Sequence, residues 1–162
     1  MRAVLLALFF LWLAPAVAAA QQRPLGIFGM WGAFGGGERC YAIAQPFQGP
    51  RPEGWRAFAA VGHWPARRLR GQLHVRLSRE KRPGSAVLLR IDGRSFQLRG
   101  GGRDAWAPDA RADEEILAAM RTGIHMTVET RTTAGQLVRD QYRLRGAATA
   151  MDAAALACRA RG

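Results

Sequence analysis

The chain has 162 residues, 49% of them apolar, and its 24 basic and 12 acidic side chains give a formal net charge of +12. That length suits one domain with a sizeable core, and the apolar content excludes a disordered polymer. Lys81 is the one lysine; a GC-rich genome accounts for part of this arginine bias, and the remainder implies attraction to anionic polymers or membrane headgroups that weakens as salt rises.

Residues 1–20 have the order of a secretory leader. Arg2 is followed by an unbroken apolar run, Val4 to Leu13, then by Pro15 and the small residues Ala18, Ala19 and Ala20. The run is shorter than the roughly 20 residues that cross a bilayer. Cleavage after Ala20 is expected, leaving 162 − 20 = 142 residues with a charge of 23 − 12 = +11. The mature part, 21–162, is expected to be a single β-rich domain, periplasmic or secreted, with no transmembrane segment after processing. No cysteine lies near the cut, so no lipid-modified terminus is expected.

Gly26, Gly29, Gly32 and Gly35 recur at every third position with Phe28, Trp31 and Phe34 between them, which predicts one glycine-kinked first strand. Collagen needs many more such triplets. Cys40–Ala44 and Phe58–Trp64 are predicted strands. Pro46, Pro50 and Pro52 make 45–55 a loop. Leu73, Val75 and Leu77 alternate with polar residues, as do Val87, Leu89 and Ile91, so each set predicts a half-buried strand. Asp92-Gly93 is a hairpin turn leading to Phe96 and Leu98. Gly100-Gly101-Gly102 lacks the lysine and hydroxyl residue of a phosphate loop and is expected to be a flexible connection. Asp113-Glu114-Glu115 opens a helix that Arg121, in a cationic last turn, and Gly123, as the C′ glycine, should close. Strands Ile124–Val128 and Val138–Leu144 flank a turn at Thr133-Ala134-Gly135, and an alanine-rich helix runs from 148 to 159. The fold class is therefore mainly β, sandwich-like, with one crossing helix and a C-terminal helix.

Cys40 and Cys158 are the two cysteines, 158 − 40 = 118 residues apart. In an oxidising compartment such a pair is expected to form a disulfide joining the start of the fold to its end.

Catalytic machinery is not apparent. His63, His74 and His125 have no metal-ligand spacing, and His74 and His125 fall on the strand faces opposite the apolar residues, as surface histidines do. Ser78, Ser85 and Ser95 lie in no nucleophile elbow. Glu114 and Glu115 are adjacent and diverge on a helix, while Asp104 suits a turn or cap. No enzyme activity, metal or cofactor is expected. The charge pattern says more. Arg76, Arg90, Arg99, Arg139 and Arg143 fall on outward strand positions with His74 and Gln97. Arg67-Arg68-Leu69-Arg70 and Arg79-Glu80-Lys81-Arg82 add density at the edges. The plain meaning is a solvated face whose arginines blunt sheet edges. The sharper one is a docking surface for anionic envelope components such as lipopolysaccharide phosphates or acidic lipids, since the guanidinium fork suits phosphate. An exported protein rarely meets nucleic acid, which is not expected as a partner. The alternative is an inhibitor or chaperone-like partner of another envelope protein, using Trp55 and Trp64.

Trp31-Gly32-Ala33-Phe34 followed by Cys40-Tyr41-Ala42 resembles the start of the invasion-associated locus B family of alphaproteobacterial exported proteins. The segment from Ile116 through Met126-Thr127-Val128 and Tyr142-Arg143-Leu144-Arg145-Gly146 to the helix ending at Cys158 is similar to that family's closing pattern. The resemblance implies an exported β-rich protein without known enzymatic activity, in a family named for an association with host-cell invasion. Where family members often carry a further cysteine, Phe34 and a glycine run stand here. Only the pairing of Cys40 with Cys158 is carried over.

Overall fold

In a computed structural model that describes residues 22–159, the glycine-rich beginning is a hairpin rather than one kinked strand. Strand β1 (Arg23–Phe28) turns at Gly29-Met30 into β2 (Trp31–Gly36), with Phe28 opposite Trp31 as the last pair. Gly29 sits at φ 59°, and a Cβ there would lie 2.5 Å from the Arg145 carbonyl oxygen, so glycine is required twice over. The expected leader, residues 1–20, lies outside the described residues.

Strand β3 (Arg39–Ala44) pairs with β2 and with β4 (Phe58–Trp64), and β4 pairs with β5 (Leu69–Arg76) after a single 3-10 turn. The proline-bearing loop between β3 and β4 is irregular, as expected. It crosses to the far end of the sheet, where the Phe47 N–H donates to the Gln141 carbonyl at 2.9 Å and the Gln141 N–H to that of Gln48 at 2.8 Å.

Strands β6 (Val87–Ile91) and β7 (Arg94–Gly101) are joined by Asp92-Gly93, whose φ values of 42° and 94° are both positive, as a tight hairpin requires. The glycine triplet is not a loose connection. Gly100 and Gly101 continue β7 into a second hairpin with β8 (Asp104–Trp106), a strand too short to show in the sequence pattern. A Cβ on Gly100 would lie 2.8 Å from the Cα of Ala105, so only glycine admits that approach.

The first part of β7 pairs with β6 and its last three residues with β8, which pairs in turn with β5. The expected pair of sheets is therefore one antiparallel ten-stranded sheet, ordered β1-β2-β3-β4-β5-β8-β7-β6-β9-β10, with β9 spanning His125–Arg131 and β10 Leu137–Arg143. Both halves turn apolar residues into one core, which joins Val61, Leu73 and Val75 to Leu89, Val128 and Tyr142. Fully buried Trp31 donates its indole N–H to the Arg143 carbonyl at 2.9 Å, tying β2 to the end of β10. The mainly β class stands.

Helix α1 (Ala110–Thr122) starts at Asp109, whose carboxylate accepts the Ala112 N–H at 2.9 Å, and buries Ile116, Ala119 and Met120. Gly123 ends it at φ −77°, not in the left-handed region. Space explains the residue instead, because a Cβ would come within 2.6 Å of Ile91 and 2.9 Å of the Ala119 oxygen. Helix α2 (Ala147–Arg159) buries Ala147, Ala150, Met151, Ala154 and Cys158, a face of mostly small side chains that lets it lie close on β1–β4. Cys158 is bonded to Cys40 of β3, with a Cα separation of 5.8 Å. Neither helix is long and apolar enough to cross a membrane.

Candidate binding face

Half of the sheet carries large apolar side chains on its outer side as well as an apolar inner side. In β3 and β4 the fully inward residues are small (Cys40, Ala42, Ala44, Ala59 and Val61), with half-buried His63 beside Cys40 at the end of the ladder. The outward residues of the same strands and their neighbours include Phe34, Tyr41, Ile43, Phe58, Trp64, His74 and Trp106. Small residues face inward because α2 packs closely there, which leaves the aromatic side chains outside.

Register assembles these residues. Phe34 stands opposite Tyr41 and stacks on it at 5.3 Å. Ile43, Ala60, His74 and Trp106 form a row across β3, β4, β5 and β8. The His74 ring stacks on Trp106 at 4.9 Å with 5° between planes, and the Phe58 ring meets it edge-on at 5.1 Å. Ala60 and Gly62 form a low floor. A Cβ on Gly62 would run into the Trp64 ring, which folds over it. The result is a hollow of about 180 Å³ between Tyr41, Phe58, Trp64 and His74. It shares Ile43 and Phe58 with a larger hollow of about 780 Å³, which extends over Gly32 toward Ile27, Met30 and the proline loop.

Asp104 organises the edge of this face. One carboxylate oxygen accepts from Nε2 of His74 at 2.7 Å and from Nε of Arg76 at 3.0 Å, and the other accepts from an Arg76 terminal nitrogen at 3.3 Å. Burial pushes the Asp104 carboxyl up, but the hydrogen bonds and charges of Arg76 and His74 outweigh it and hold the group below the usual carboxylate range. The charged carboxylate assigns the His74 proton to Nε2. Two expectations are corrected here. Asp104 is a strand residue joining two partners, not a turn or cap, and His74 is stacked and bonded rather than free on the surface. Arg39 lies over Tyr41 at 5.2 Å and Arg76 over Phe58 at 5.5 Å, so cations flank the aromatic floor.

The five arginines of the expected basic face all leave the sheet on its outer side, but in two groups. Arg76 and Arg99 belong to this half, with Arg99 in register beside Trp106. Arg90 and Arg139 lie in the other half and share Glu129, at 3.5 and 2.8 Å. Arg143 covers the Phe47 ring at 4.8 Å. Trp55 is engaged internally: its indole N–H donates to the Leu77 carbonyl at 3.2 Å, and Arg103 stacks on it at 3.7 Å. His125 is exposed, whereas His63 is half-buried and accepts the Gly71 N–H at 3.2 Å. Burial lowers the His63 pKa, and the charges of Arg70 and Arg159 add to that.

No family model matches the sequence, and neither does any curated protein. Among solved structures, the crystal structure of invasion associated protein B from Bartonella henselae superposes with a TM-score of 0.56 at 15% identity, covering 84% of this chain and 96% of that one. The two share a fold. The resemblance carried by Trp31–Phe34, Cys40–Ala42 and the closing segment is thereby supported at the level of architecture, across most of both chains.

Proposed function

We propose that this protein is an exported, non-catalytic accessory protein of the cell envelope that binds anionic envelope components through its outer sheet surface. The carrying observation is the charge of that surface. Arg76, Arg90, Arg99, Arg139 and Arg143 all project from it, while the acids of the ten strands, among the described residues, are Asp104, Glu129 and Asp140, the last of them buried. The cysteine bridge supports an oxidising location, and the fold likeness to invasion associated protein B supports an envelope context.

Cosedimentation with vesicles tests the proposal. Binding to vesicles containing phosphatidylglycerol should exceed binding to neutral ones and fall as salt rises. An arginine near an anionic surface is worth about 1 kcal/mol. Each double reversal, Arg76→Glu with Arg99→Glu or Arg139→Glu with Arg143→Glu, should then weaken binding at least thirtyfold, about 2 kcal/mol. Equal binding to neutral vesicles, or affinity unchanged by both reversals, would remove the basic face.

A further inference from the structure

The furrow beside the proline loop has two chemically different compartments. Its apolar part is formed by Ile27, Met30, Phe34, Ile43 and Phe58, with Ile27 74% and Met30 45% exposed. Contiguous apolar surface with a polar rim marks an interaction site in a soluble domain. Gly32 deepens it, since a Cβ there would come within 3.1 Å of the Phe34 ring and 3.3 Å of Ile27. At about 780 Å³ it lies within the size range of ligand sites.

The second compartment, about 490 Å³, lies within the loop itself and is lined by Pro46, Pro50, Arg51, Pro52 and Arg56 together with Trp55. Arg51 and Arg56 border both compartments. Three prolines restrict this loop, and the Phe47 and Gln141 hydrogen bonds anchor it to β10. The loop backbone that carries these two arginines is thus fixed beside the apolar trough, which both of them line. Glu53, the acid of the same loop, borders neither compartment.

We infer that this furrow binds a single anionic amphiphile, its hydrocarbon chain along Ile27, Phe34, Ile43 and Phe58 and its phosphate or carboxylate head at Arg51 and Arg56. Both halves of the ligand are needed to match both compartments. A small anion leaves the trough wet, and a neutral chain leaves the arginines unmatched. The inference rests on the anionic-ligand reading above and adds a defined site to it, built from arginines outside the basic face.

Calorimetric titration of the oxidised chain with dodecyl phosphate, kept below micelle-forming concentration, tests it. Butyl phosphate supplies the head without the chain, and dodecyl maltoside the chain without the charge. Dodecyl phosphate should bind at least about tenfold more tightly than either. Ile27→Gln with Ile43→Gln should weaken dodecyl phosphate by at least about tenfold. Arg51→Glu with Arg56→Glu should do the same while leaving dodecyl maltoside unchanged. Butyl phosphate or dodecyl maltoside binding as well as dodecyl phosphate, or indifference to either double variant, overturns the inference. Because Ile27, Arg51 and Arg56 are exposed and Ile43 is half-buried on the outer face, away from the core, these variants should keep the parent's circular dichroism. Vesicle binding that persists while dodecyl phosphate fails ends this inference alone. Dodecyl phosphate binding in a protein that ignores anionic vesicles supports the furrow and ends the broad basic face.

Discussion

Asp113 couples the crossing helix to the sheet. It accepts the Leu73 N–H at 2.7 Å, on a stretch of β5 that β8, paired only with residues 74–76, leaves uncovered. Burial pushes its pKa up to about 6 from 3.8, against the lowering effect of the Leu73 amide and with Asp109 adding to the rise. The folded state therefore holds this proton more tightly than the unfolded chain. Stability falls as pH rises from about 4 to about 6 and the penalty persists above that window. Asp113→Asn keeps an acceptor for Leu73 and removes the charge. Its stability should exceed that of the parent by about 1 kcal/mol at pH 8, once partial exposure is discounted, and match it at pH 4. Urea unfolding at the two pH values checks this, and an equal effect at both would place the cause outside the carboxylate's ionisation.

At the scale of elements, the three residues of β8 carry the continuity of the sheet between its halves. Few ladder bonds hold so short a strand, and Asp104 supplements them by gripping His74 and Arg76 across the strand boundary. Asp104→Ala should cost about 1–3 kcal/mol at neutral pH and speed amide exchange in β8 and in residues 74–76 of β5. The folded pKa of Asp104 is depressed, so its contribution is present above the unfolded value and disappears as pH falls through the folded one. The gap between variant and parent should therefore close in strong acid, below pH 4; a gap that stays open would deny Asp104 its ionic role. The same elements show what the sequence could disclose. Alternation and Asp92-Gly93 revealed β5, β6 and the hairpin between β6 and β7, and Phe58–Trp64 was found with its observed bounds. Evenly spaced glycines concealed a turn within an aromatic run, and β8 is too short to display a period. The binding face was hidden for another reason. Asp104 grips partners 28 and 30 residues away in the chain, and the choice of aromatic rather than small residues for the outside depends on α2, which only the tertiary structure brings to the inner side. The alternation of small residues with Tyr41 and Ile43 in 40–44 was the available signal.

For the whole molecule, the decisive link is the bond between Cys40 and Cys158, which spans 118 residues and holds α2 against the sheet. Chain entropy makes a closure of that length worth up to about 4–5 kcal/mol, a large share of a typical net stability of about 5–15 kcal/mol. Cys158→Ser removes the cross-link while Ala150, Met151 and Ala154 remain buried, so the variant should fold with α2 in place but melt at a much lower temperature. A reduced parent should melt with the variant. If export is the protein's fate, intact mass adds a second readout to the same material. Protein recovered from the envelope should begin at residue 21 and weigh two hydrogens less than the reduced form, and it should resist alkylation until reductant is added. The processing and the bridge are separable in this measurement, because an uncleaved chain can carry a disulfide and a cleaved one can carry free thiols. Full-length protein with both thiols open to alkylation in the cell would mean that the oxidising compartment was never reached, and the anionic envelope ligands would lose their meeting place with the basic face.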